Sequence, residues 1–318
     1  MPQEKKQNRK SESSSHKKRR QQQVRRQLIL IATIAVVVIA ITGTIIVKTV
    51  SGKKTESEAS SKKVTAVNLD EADTTEGTKE NEEETKPEEV TDDRAGYAVS
   101  PGVSVGSDTE TEEKVVYLTF DDGPSSNTQA VLDILDRYNA KATFFVTNIN
   151  PDYANMIKVA YDKGHTIGLH TYSHDYGAVY ASVDAYFSDL DAIGQLVQQQ
   201  IGYVPCFIRF PGGSSNTVSA EYSSGIMSTL VQEVQNRGYQ YYDWNSSSGD
   251  GAVRSTAELI DQGTAWDGNN LVFLSHDANS KESTVDALPT IIEHYQSMGY
   301  AFKALDRSSY DAHHGVNN

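Results

Sequence analysis

From Val115 onward the chain alternates short apolar runs with amphipathic stretches, and this alternation limits its fold more than any other feature. Apolar positions three and four apart, as in the stretch 131–138, indicate helices between the strand candidates. This repetition over about 200 residues predicts an α/β domain whose parallel sheet is closed or nearly closed into a barrel. The strand candidates are Val115–Phe120, Ala142–Val146, Thr166–Leu169, Cys206–Phe210, Tyr239–Trp244, Leu271–Leu274 and Ala301–Ala304.

Two adjacent carboxylates, Asp121 and Asp122, follow the first strand candidate. The strand itself, VVYLTF, has the β-branched and aromatic composition of a buried strand. Gly123 and Pro124 come next, so both acids are predicted to lie on a tight turn at the carboxyl end of the strand. That edge of a parallel sheet is where α/β proteins hold their reacting groups. An acid-rich turn that caps the next helix is the alternative interpretation.

His170 and His174, in the sequence GLHTYSH, are four residues apart. On helical backbone this spacing places both imidazoles on one face, where they can bind one metal ion. Together with an aspartate they form a ligand set for zinc or another divalent first-row metal, with positions left for water and substrate. A pair of surface or core histidines that binds no ligand is the alternative.

Four motifs occur in one order along the chain: TFDDGP, HTYSH, RFPGG at Arg209–Gly213 and LSH at Leu274–His276. This order resembles that of the polysaccharide deacetylases (carbohydrate esterase family four), and the resemblance covers the chain from about Val115 to Leu305. It implies a distorted, incomplete (β/α) barrel of about seven strands, in agreement with the alternation described above. It also implies a hydrolase that removes acetyl groups from a glycan.

The resemblance gives the metal-binding and base roles to particular residues. Asp122, His170 and His174 would hold one divalent metal ion, with zinc expected and cobalt or manganese as alternatives. Asp121 would be the general base that takes a proton from the attacking water. Arg209 would pair with this carboxylate and keep it ionised and oriented.

The other motifs supply groups that would contact the acetyl group and the leaving nitrogen. The backbone N–H of Gly212 would donate to the oxyanion, and His276 would protonate the leaving nitrogen. Asp250 matches the acid that raises the pKa of this histidine in the family, while Asp243 is the alternative because it lies at the strand end. Two apolar side chains would complete the pocket for the acetyl group and the sugar: Leu274 and Trp244.

Three positions depart from the pattern of the family. Gly212 stands where many relatives have an aromatic residue, and Ser247 and Gly251 replace an acid and a tryptophan. The pocket is therefore expected to be more open than in many relatives. N-acetylglucosamine of peptidoglycan is the expected substrate. The alternatives are N-acetylmuramic acid, chitooligosaccharides or xylan, and a wall-binding module without catalysis.

Charge and hydropathy divide the chain before the domain into three segments. Residues 1–27 are strongly basic, residues 28–47 run for twenty positions without a charge, and residues 48–114 are rich in acids and poor in aromatic residues. The uncharged segment can cross a hydrocarbon core of about 30 Å, and its basic flank is expected to stay in the cytoplasm. We therefore predict a cytoplasmic tail, one transmembrane helix, a disordered linker and an extracellular catalytic domain, residues 115–318, at the cell membrane.

Acidic residues outnumber basic residues in the catalytic domain, which argues against nucleic acid or another polyanion as its substrate. A neutral cell-wall glycan is compatible with this charge. The predicted anchor favours peptidoglycan, since attachment gives little benefit to an enzyme that acts on soluble chitin. The catalytic domain itself is expected to be a monomer.

Overall fold

The computed structural model describes residues 93–318. The predicted basic tail, residues 1–27, and the predicted transmembrane helix, residues 28–47, lie outside the described residues, as does the predicted linker up to residue 92. From residue 93 to the end of the chain, no helix combines the length and the apolar character needed to cross a bilayer.

Strands and α-helices alternate along most of the described chain. The strands are β1 (Val115–Asp121), β2 (Ala142–Val146), β3 (Thr166–Leu169), β4 (Phe207–Ile208), β5 (Gln240–Tyr241), β6 (Ser246–Ser247), β7 (Asn270–His276) and β8 (Ala301–Phe302). The α-helices are α1 (Thr128–Arg137), α2 (Met156–Asp162), α3 (Tyr176–Val179), α4 (Val183–Ile201), α5 (Ile226–Asn236), α6 (Thr256–Gly263) and α7 (Glu282–Ser297). Short 3-10 helices cover Asp93–Tyr97, Pro151–Tyr153 and Val218–Glu221.

The strands form one parallel sheet that curls into a half-barrel with the order β5-β4-β3-β2-β1-β7-β6. The eighth strand, β8, pairs with the first two residues of β1, before the pairing of β1 with β2 begins. Within the described residues the end strands β5 and β6 do not pair with each other, so the barrel is incomplete. The predicted α/β fold with an incomplete barrel is confirmed.

β1 lies in the middle of the sheet, and all of its residues are buried. Because side chains alternate along a strand, they belong to two different cores. Even-numbered residues from Val116 to Phe120 join the larger core, which includes the helices, whereas Val115 and Tyr117 join a smaller core inside the curl. Asp121 continues the second series, so its carboxylate faces the interior of the curl at the carboxyl end of the sheet.

The strands near the two ends of the sheet differ from the strands predicted from the sequence. β4 and β5 are two residues long, whereas the apolar runs Cys206–Phe210 and Tyr239–Trp244 predicted longer strands. Pairing between β4 and β3 is limited because the chain enters the Pro-Gly-Gly turn directly after Arg209 and Phe210. β6 was missed, since two serines carry none of the β-branched or aromatic signal of a strand.

Residues 93–114, which were predicted to belong to the disordered linker, pack on the catalytic domain. The N–H of Val99 donates to the carbonyl of Val204 at 2.8 Å. The ring of Tyr97 meets the ring of Phe207 edge-on, with the centroids 5.3 Å apart. The linker prediction is therefore wrong for this stretch. The acidic composition averaged over residues 48–114 concealed a few apolar side chains that fit against the smaller core.

Removal of these packed residues is expected to destabilise the domain. A fragment of residues 115–318 should unfold at a lower temperature than a fragment of residues 93–318, because Tyr97 and Val99 lose their buried contacts. Full burial of an apolar side chain contributes about 1.5–3 kcal/mol to the free energy of unfolding, and Tyr97 and Val99, which are partly buried, each contribute a fraction of this. Thermal unfolding followed by circular dichroism measures the difference. Equal midpoints for the two fragments would contradict this account.

Candidate active site

The carboxyl ends of neighbouring strands bring the predicted site residues together. Asp121 ends β1, and the parallel register places it directly beside His276 at the end of β7. His170 follows β3, and Arg209 follows β4. Asp250 lies in the loop after β6. Because parallel strands end at the same edge, residues distant in sequence meet there, as the motifs predicted.

The Arg209 guanidinium is 1% exposed and is held by four hydrogen bonds. Its Nη1 donates to Asp121 Oδ1 at 2.8 Å and to the Thr119 hydroxyl at 2.7 Å. Its Nε and Nη2 donate to the carbonyls of Tyr242 and Asp243 at 2.8 and 2.9 Å. The predicted partner of the base is therefore in contact with it and cannot move independently of the strands.

The environment of Asp121 suits a proton acceptor. Burial raises the pKa of this carboxyl above its ordinary value, while the nearby charges of Arg209 and then of His276 oppose the rise. A carboxylate with a raised pKa is a stronger base than an exposed aspartate. Arg209 moderates the effect of burial, so the carboxyl group retains a fixed partner in its ionised form.

Asp122, His170 and His174 form a cluster of three potential metal ligands. Asp122 Oδ1 lies 3.3 Å from His174 Nε2 and 3.6 Å from His170 Nε2. Ligand atoms bonded to a tetrahedral zinc ion at about 2.0–2.1 Å lie about 3.3 Å from one another, so this spacing fits one shared ion. Asp122 Oδ1 is also buried without a hydrogen-bond partner in the described chain, which is costly unless a cation binds there.

The protonation of His170 also fits metal binding. Its Nδ1 lies 2.8 Å from the carbonyl oxygen of Arg209, so Nδ1–H donates and Nε2 keeps its lone pair on the side of Asp122. Burial lowers the pKa of His170 to about 3, and the neighbouring His174 acts in the same direction. The imidazole is therefore neutral, which is the form that binds metals. The residues present match the donors that zinc and similar ions prefer.

The two histidines lie on a loop between β3 and α3, so a helical backbone is not what brings them together. Thr171 and His174 have positive φ angles of 71° and 52°, and the imidazole centroids are 5.1 Å apart. Asp122 likewise has a φ of 69°. Non-glycine residues in this region cost about 1–3 kcal/mol each, so backbone strain is concentrated at the candidate ligands.

Asp189, on α4, holds this loop in place. Its carboxylate accepts hydrogen bonds from the N–H groups of Tyr172 and Ser173, and from the Ser173 hydroxyl at 2.6 Å. Sequence reasoning missed Asp189, because an aspartate on an amphipathic helix has the same pattern as a solvent-facing residue. The contacts appear only when the loop and the helix are placed together.

His276 and Asp250 are joined by two hydrogen bonds. His276 Nδ1 lies 2.9 Å from Asp250 Oδ1, and the backbone N–H of His276 donates to Asp250 Oδ2 at 2.7 Å. The Thr284 hydroxyl also donates to Oδ2, at 2.9 Å. Burial would lower the pKa of His276, but the hydrogen bond and charge of Asp250 outweigh it and raise the pKa to about 9. His276 is therefore protonated at neutral pH.

Asp243, the alternative partner, is committed to another part of the site. Its carboxylate accepts hydrogen bonds from the N–H groups of Ser214 and His314, each at 2.8 Å, and no hydrogen bond or ion pair within residues 93–318 joins it to His276. The Trp244 ring packs edge-on against the His314 ring at 4.7 Å. The structure thus places Asp250, rather than Asp243, against His276. His314 has no motif, and its contribution was not visible in the sequence.

Gly212 and Leu274 are the residues predicted to contact the acetyl group. The N–H of Gly212 makes no hydrogen bond within the described part of the chain, and its φ of 76° is favourable only for glycine. Leu274 precedes His276 by two residues on β7, so both side chains lie on the same face of the strand. Their contact with an acetyl group stays a prediction.

A further buried carboxyl, Asp277, lies beneath the turn that carries the two aspartates. Its Oδ2 accepts a hydrogen bond from the Thr128 hydroxyl at 2.5 Å, and its N–H donates to the carbonyl of Asp121 at 3.2 Å. Burial raises its pKa to about 7. A Cβ atom on Gly123 would lie 2.2 Å from Asp277 Oδ1, so the glycine after the two acids is required by this contact. The sequence motif alone gave no role to Asp277.

Comparison of the sequence with known proteins independently supports the resemblance to the polysaccharide deacetylases. Residues 108–231 match the sequence profile of the polysaccharide deacetylase family. A peptidoglycan-N-acetylglucosamine deacetylase of Bacillus cereus is 30% identical over 209 residues, which cover 63% of this chain and 72% of that protein. A bifunctional xylanase/deacetylase of Pseudobutyrivibrio xylanivorans is 32% identical over 214 residues, 65% of this chain but 32% of that longer protein.

The fold is also similar to a solved structure, the catalytic domain of the peptidoglycan N-acetylglucosamine deacetylase from Eubacterium rectale. The two have a TM-score of 0.64 and 47% sequence identity, and the match covers 67% of this chain and 98% of that domain. The profile match covers the first three motifs, and the related sequences and the similar fold each cover more than 60% of the chain. The chain therefore belongs to the polysaccharide deacetylase family.

Proposed function

We propose that the protein is a metal-dependent hydrolase that removes N-acetyl groups from N-acetylglucosamine residues of cell-wall peptidoglycan. The observation that carries this proposal is the meeting of a buried base, a protonated histidine and a three-residue ligand cluster at one edge of the sheet. Deacetylation follows from family membership. The choice of sugar is supported by the 47% identity to the peptidoglycan N-acetylglucosamine deacetylase domain of Eubacterium rectale.

The first half of the reaction is attack of water on the acetyl carbon. A divalent ion bound by Asp122, His170 and His174 would polarise the acetyl carbonyl and lower the pKa of the attacking water. Asp121 accepts the proton of this water as its oxygen bonds to the carbon. The N–H of Gly212 donates a hydrogen bond to the carbonyl oxygen while that oxygen gains negative charge.

The second half of the reaction breaks the carbon–nitrogen bond. His276 gives its proton to the nitrogen, which leaves as the free amine of the sugar while acetate is formed. A pKa of about 9 keeps the imidazole protonated at neutral pH, so the proton is present when it is needed. Asp250 is a positioning residue, because it fixes the ring through Nδ1 and leaves Nε2 to face the substrate.

A second candidate function is removal of O-acetyl groups from xylan. It is favoured by the 32% identity to a bifunctional xylanase/deacetylase and by the small residue at position 251, which leaves room for a different sugar. The space beside Gly212 is filled by the Tyr176 hydroxyl, so the expected opening at that position is not present. N-acetylmuramic acid and chitooligosaccharides use the same chemistry. A wall-binding module without catalysis is disfavoured, since binding alone needs neither the buried Arg209–Asp121 pair nor a protonated His276.

We further propose that the protein is anchored in the cell membrane by one helix over residues 28–47, with residues 1–27 in the cytoplasm and the catalytic domain outside. The support lies in the sequence: a basic flank, twenty uncharged residues and an acidic segment after them. A glycan substrate in the wall suits this arrangement. The catalytic domain is proposed to act as a monomer.

The substrate can be tested by incubating the full-length protein with peptidoglycan, chitooligosaccharides and acetylated xylan in parallel. Mass spectrometry of muropeptides is expected to show loss of one acetyl group from N-acetylglucosamine and none from N-acetylmuramic acid. The variant Asp121→Asn serves as the inactive control. Acetate release from xylan alone would refute the peptidoglycan proposal and favour the second candidate.

Chelation should abolish activity, and zinc, cobalt or manganese should restore it, because the ligand cluster suits several borderline metals. His174→Ala should weaken metal binding, measured by metal analysis after dialysis. Asp121→Asn should retain the metal and lower kcat by about 10²–10⁴-fold, the usual contribution of a general base. Full turnover by a preparation shown to be free of metal would contradict metal dependence. Loss of metal from Asp121→Asn, with activity on reconstitution, would mean that the two aspartates exchange roles.

Asp250→Asn should move the alkaline limb of the pH–rate profile to lower pH. The protonated form of His276 is the active one and is lost as pH rises through its pKa, and removal of the Asp250 charge lowers that pKa. We expect kcat to fall by about tenfold or more. Asp243→Asn is the matched control and should leave the alkaline limb in place. A shifted limb in the control, with an unchanged limb in Asp250→Asn, would reverse the assignment.

Protease added to intact cells that lack an outer barrier should release an active fragment by cutting within residues 48–92. This outcome is expected because an acidic segment poor in apolar residues leaves its backbone open to cleavage. Immunoblotting and deacetylase assay of the supernatant detect the fragment. A catalytic domain that becomes sensitive to protease only after cell lysis would refute the proposed orientation.

A further inference from the structure

Tyr176 has a fixed position beside the candidate metal ligands. It is the first residue of α3, whose N-terminus is capped by the Asp175 carboxylate. Its ring lies edge-on to the His174 ring at 5.6 Å and edge-on to the Tyr180 ring at 5.6 Å. The Tyr180 hydroxyl in turn donates to the carbonyl of Pro211 at 2.8 Å, which ties this aromatic group to the Pro-Gly-Gly turn.

The Tyr176 hydroxyl occupies the space that a side chain at position 212 would need. A Cβ atom on Gly212 would lie 2.6 Å from the Tyr176 hydroxyl oxygen, closer than real Cβ atoms approach other atoms. The same Cβ would lie 3.1 Å from the Cβ of Asn216. Gly212 is therefore required by its neighbours as well as by its φ of 76°. The phenol oxygen is thus a direct neighbour of Gly212, whose N–H is proposed above to donate to the acyl oxygen.

This hydroxyl is an available hydrogen-bond donor. In the part of the chain that the structure describes, it forms no hydrogen bond, and it is not among the polar atoms sealed from solvent. A tyrosine hydroxyl has an ordinary pKa of about 10 and therefore carries its proton at neutral pH. Tyr176 is held in place by the His174 ring, the Tyr180 ring and Gly212. Its hydroxyl has no acceptor among the described residues and can therefore donate to a ligand.

We propose that Tyr176 is a further catalytic residue, whose hydroxyl donates a second hydrogen bond to the acyl oxygen as this oxygen becomes an oxyanion. The inference rests on the deacetylation proposed above. The oxygen of the acyl group must lie near the His174 ligand and near the Gly212 N–H, and Tyr176 contacts both residues. The phenol donates a hydrogen bond and transfers no proton, so the balance of the hydrolysis is unchanged. A fixed donor directed at developing charge acts mainly on the transition state.

The test is Tyr176→Phe in the full-length, metal-loaded protein. Both kcat and kcat/KM should fall by about 10- to 100-fold with little change in KM, because the lost hydrogen bond forms with the oxyanion. Tyr172→Phe is the matched control: it removes an exposed phenol from the same loop and should retain wild-type kinetics. An unchanged kcat, or a rise in KM alone, would overturn the proposal, since the hydroxyl would then be idle or would bind the sugar.

Acetate binding gives a readout that does not depend on the glycan. Calorimetric titration of the metal-loaded proteins with sodium acetate should show affinity several-fold weaker for Tyr176→Phe than for wild type and for Tyr172→Phe. Equal affinities, or no acetate binding by wild type, would contradict the proposed donor. If wild type deacetylates none of the glycans tested, the proposed function fails, and the acetate titration still decides the position of the Tyr176 hydroxyl.

Discussion

The candidate site depends on the buried ion pair between Arg209 and Asp121. Its guanidinium connects Asp121 on β1 to the carbonyls that follow β5, and its own carbonyl fixes the tautomer of His170. The candidate base, one candidate ligand and the turn after β4 are therefore oriented by a single residue. Removal of one partner from a buried ion pair costs about 3–5 kcal/mol, so the fold cannot lose this arginine or its aspartate without leaving an unpaired charge. The contacts of Arg209 that stabilise the edge of the sheet therefore also orient Asp121 and His170.

Much of this arrangement could be predicted from the sequence, because the signals for it are local. The run that forms β1 is buried throughout, and acids directly after a buried parallel strand must lie at the carboxyl edge of the sheet. The positions of Asp121, Asp122 and His276 follow from this rule. Asp250 was identified by its spacing from Trp244 in a family motif, and the loop after β6 returns it to the end of β7.

What could not be predicted depends on backbone angles and on contacts between distant segments. A spacing of four residues brings two histidines together on a helix, and also on a loop with two positive φ angles, so the sequence does not distinguish the two. The packing of residues 93–114 depends on contacts with distant parts of the chain, such as those with Val204 and Phe207. Asp189 and His314 act through hydrogen bonds to backbone N–H groups of other segments, and such contacts leave no periodicity or motif in the sequence.

The register between β1 and β7 decides which groups can cooperate. Asp121 pairs with His276 across neighbouring parallel strands, so the proposed base and the proposed acid lie side by side. A slip of one residue would bring Ser275 or Asp277 into this place and would turn the imidazole to the other face of the sheet. Asp277 lies on that other face, where it is fully buried and its pKa is raised to about 7. The same histidine on that side would lose its acidic partner and its access to substrate. Asp250 thus keeps His276 protonated, and the pairing of β1 with β7 sets the position of His276.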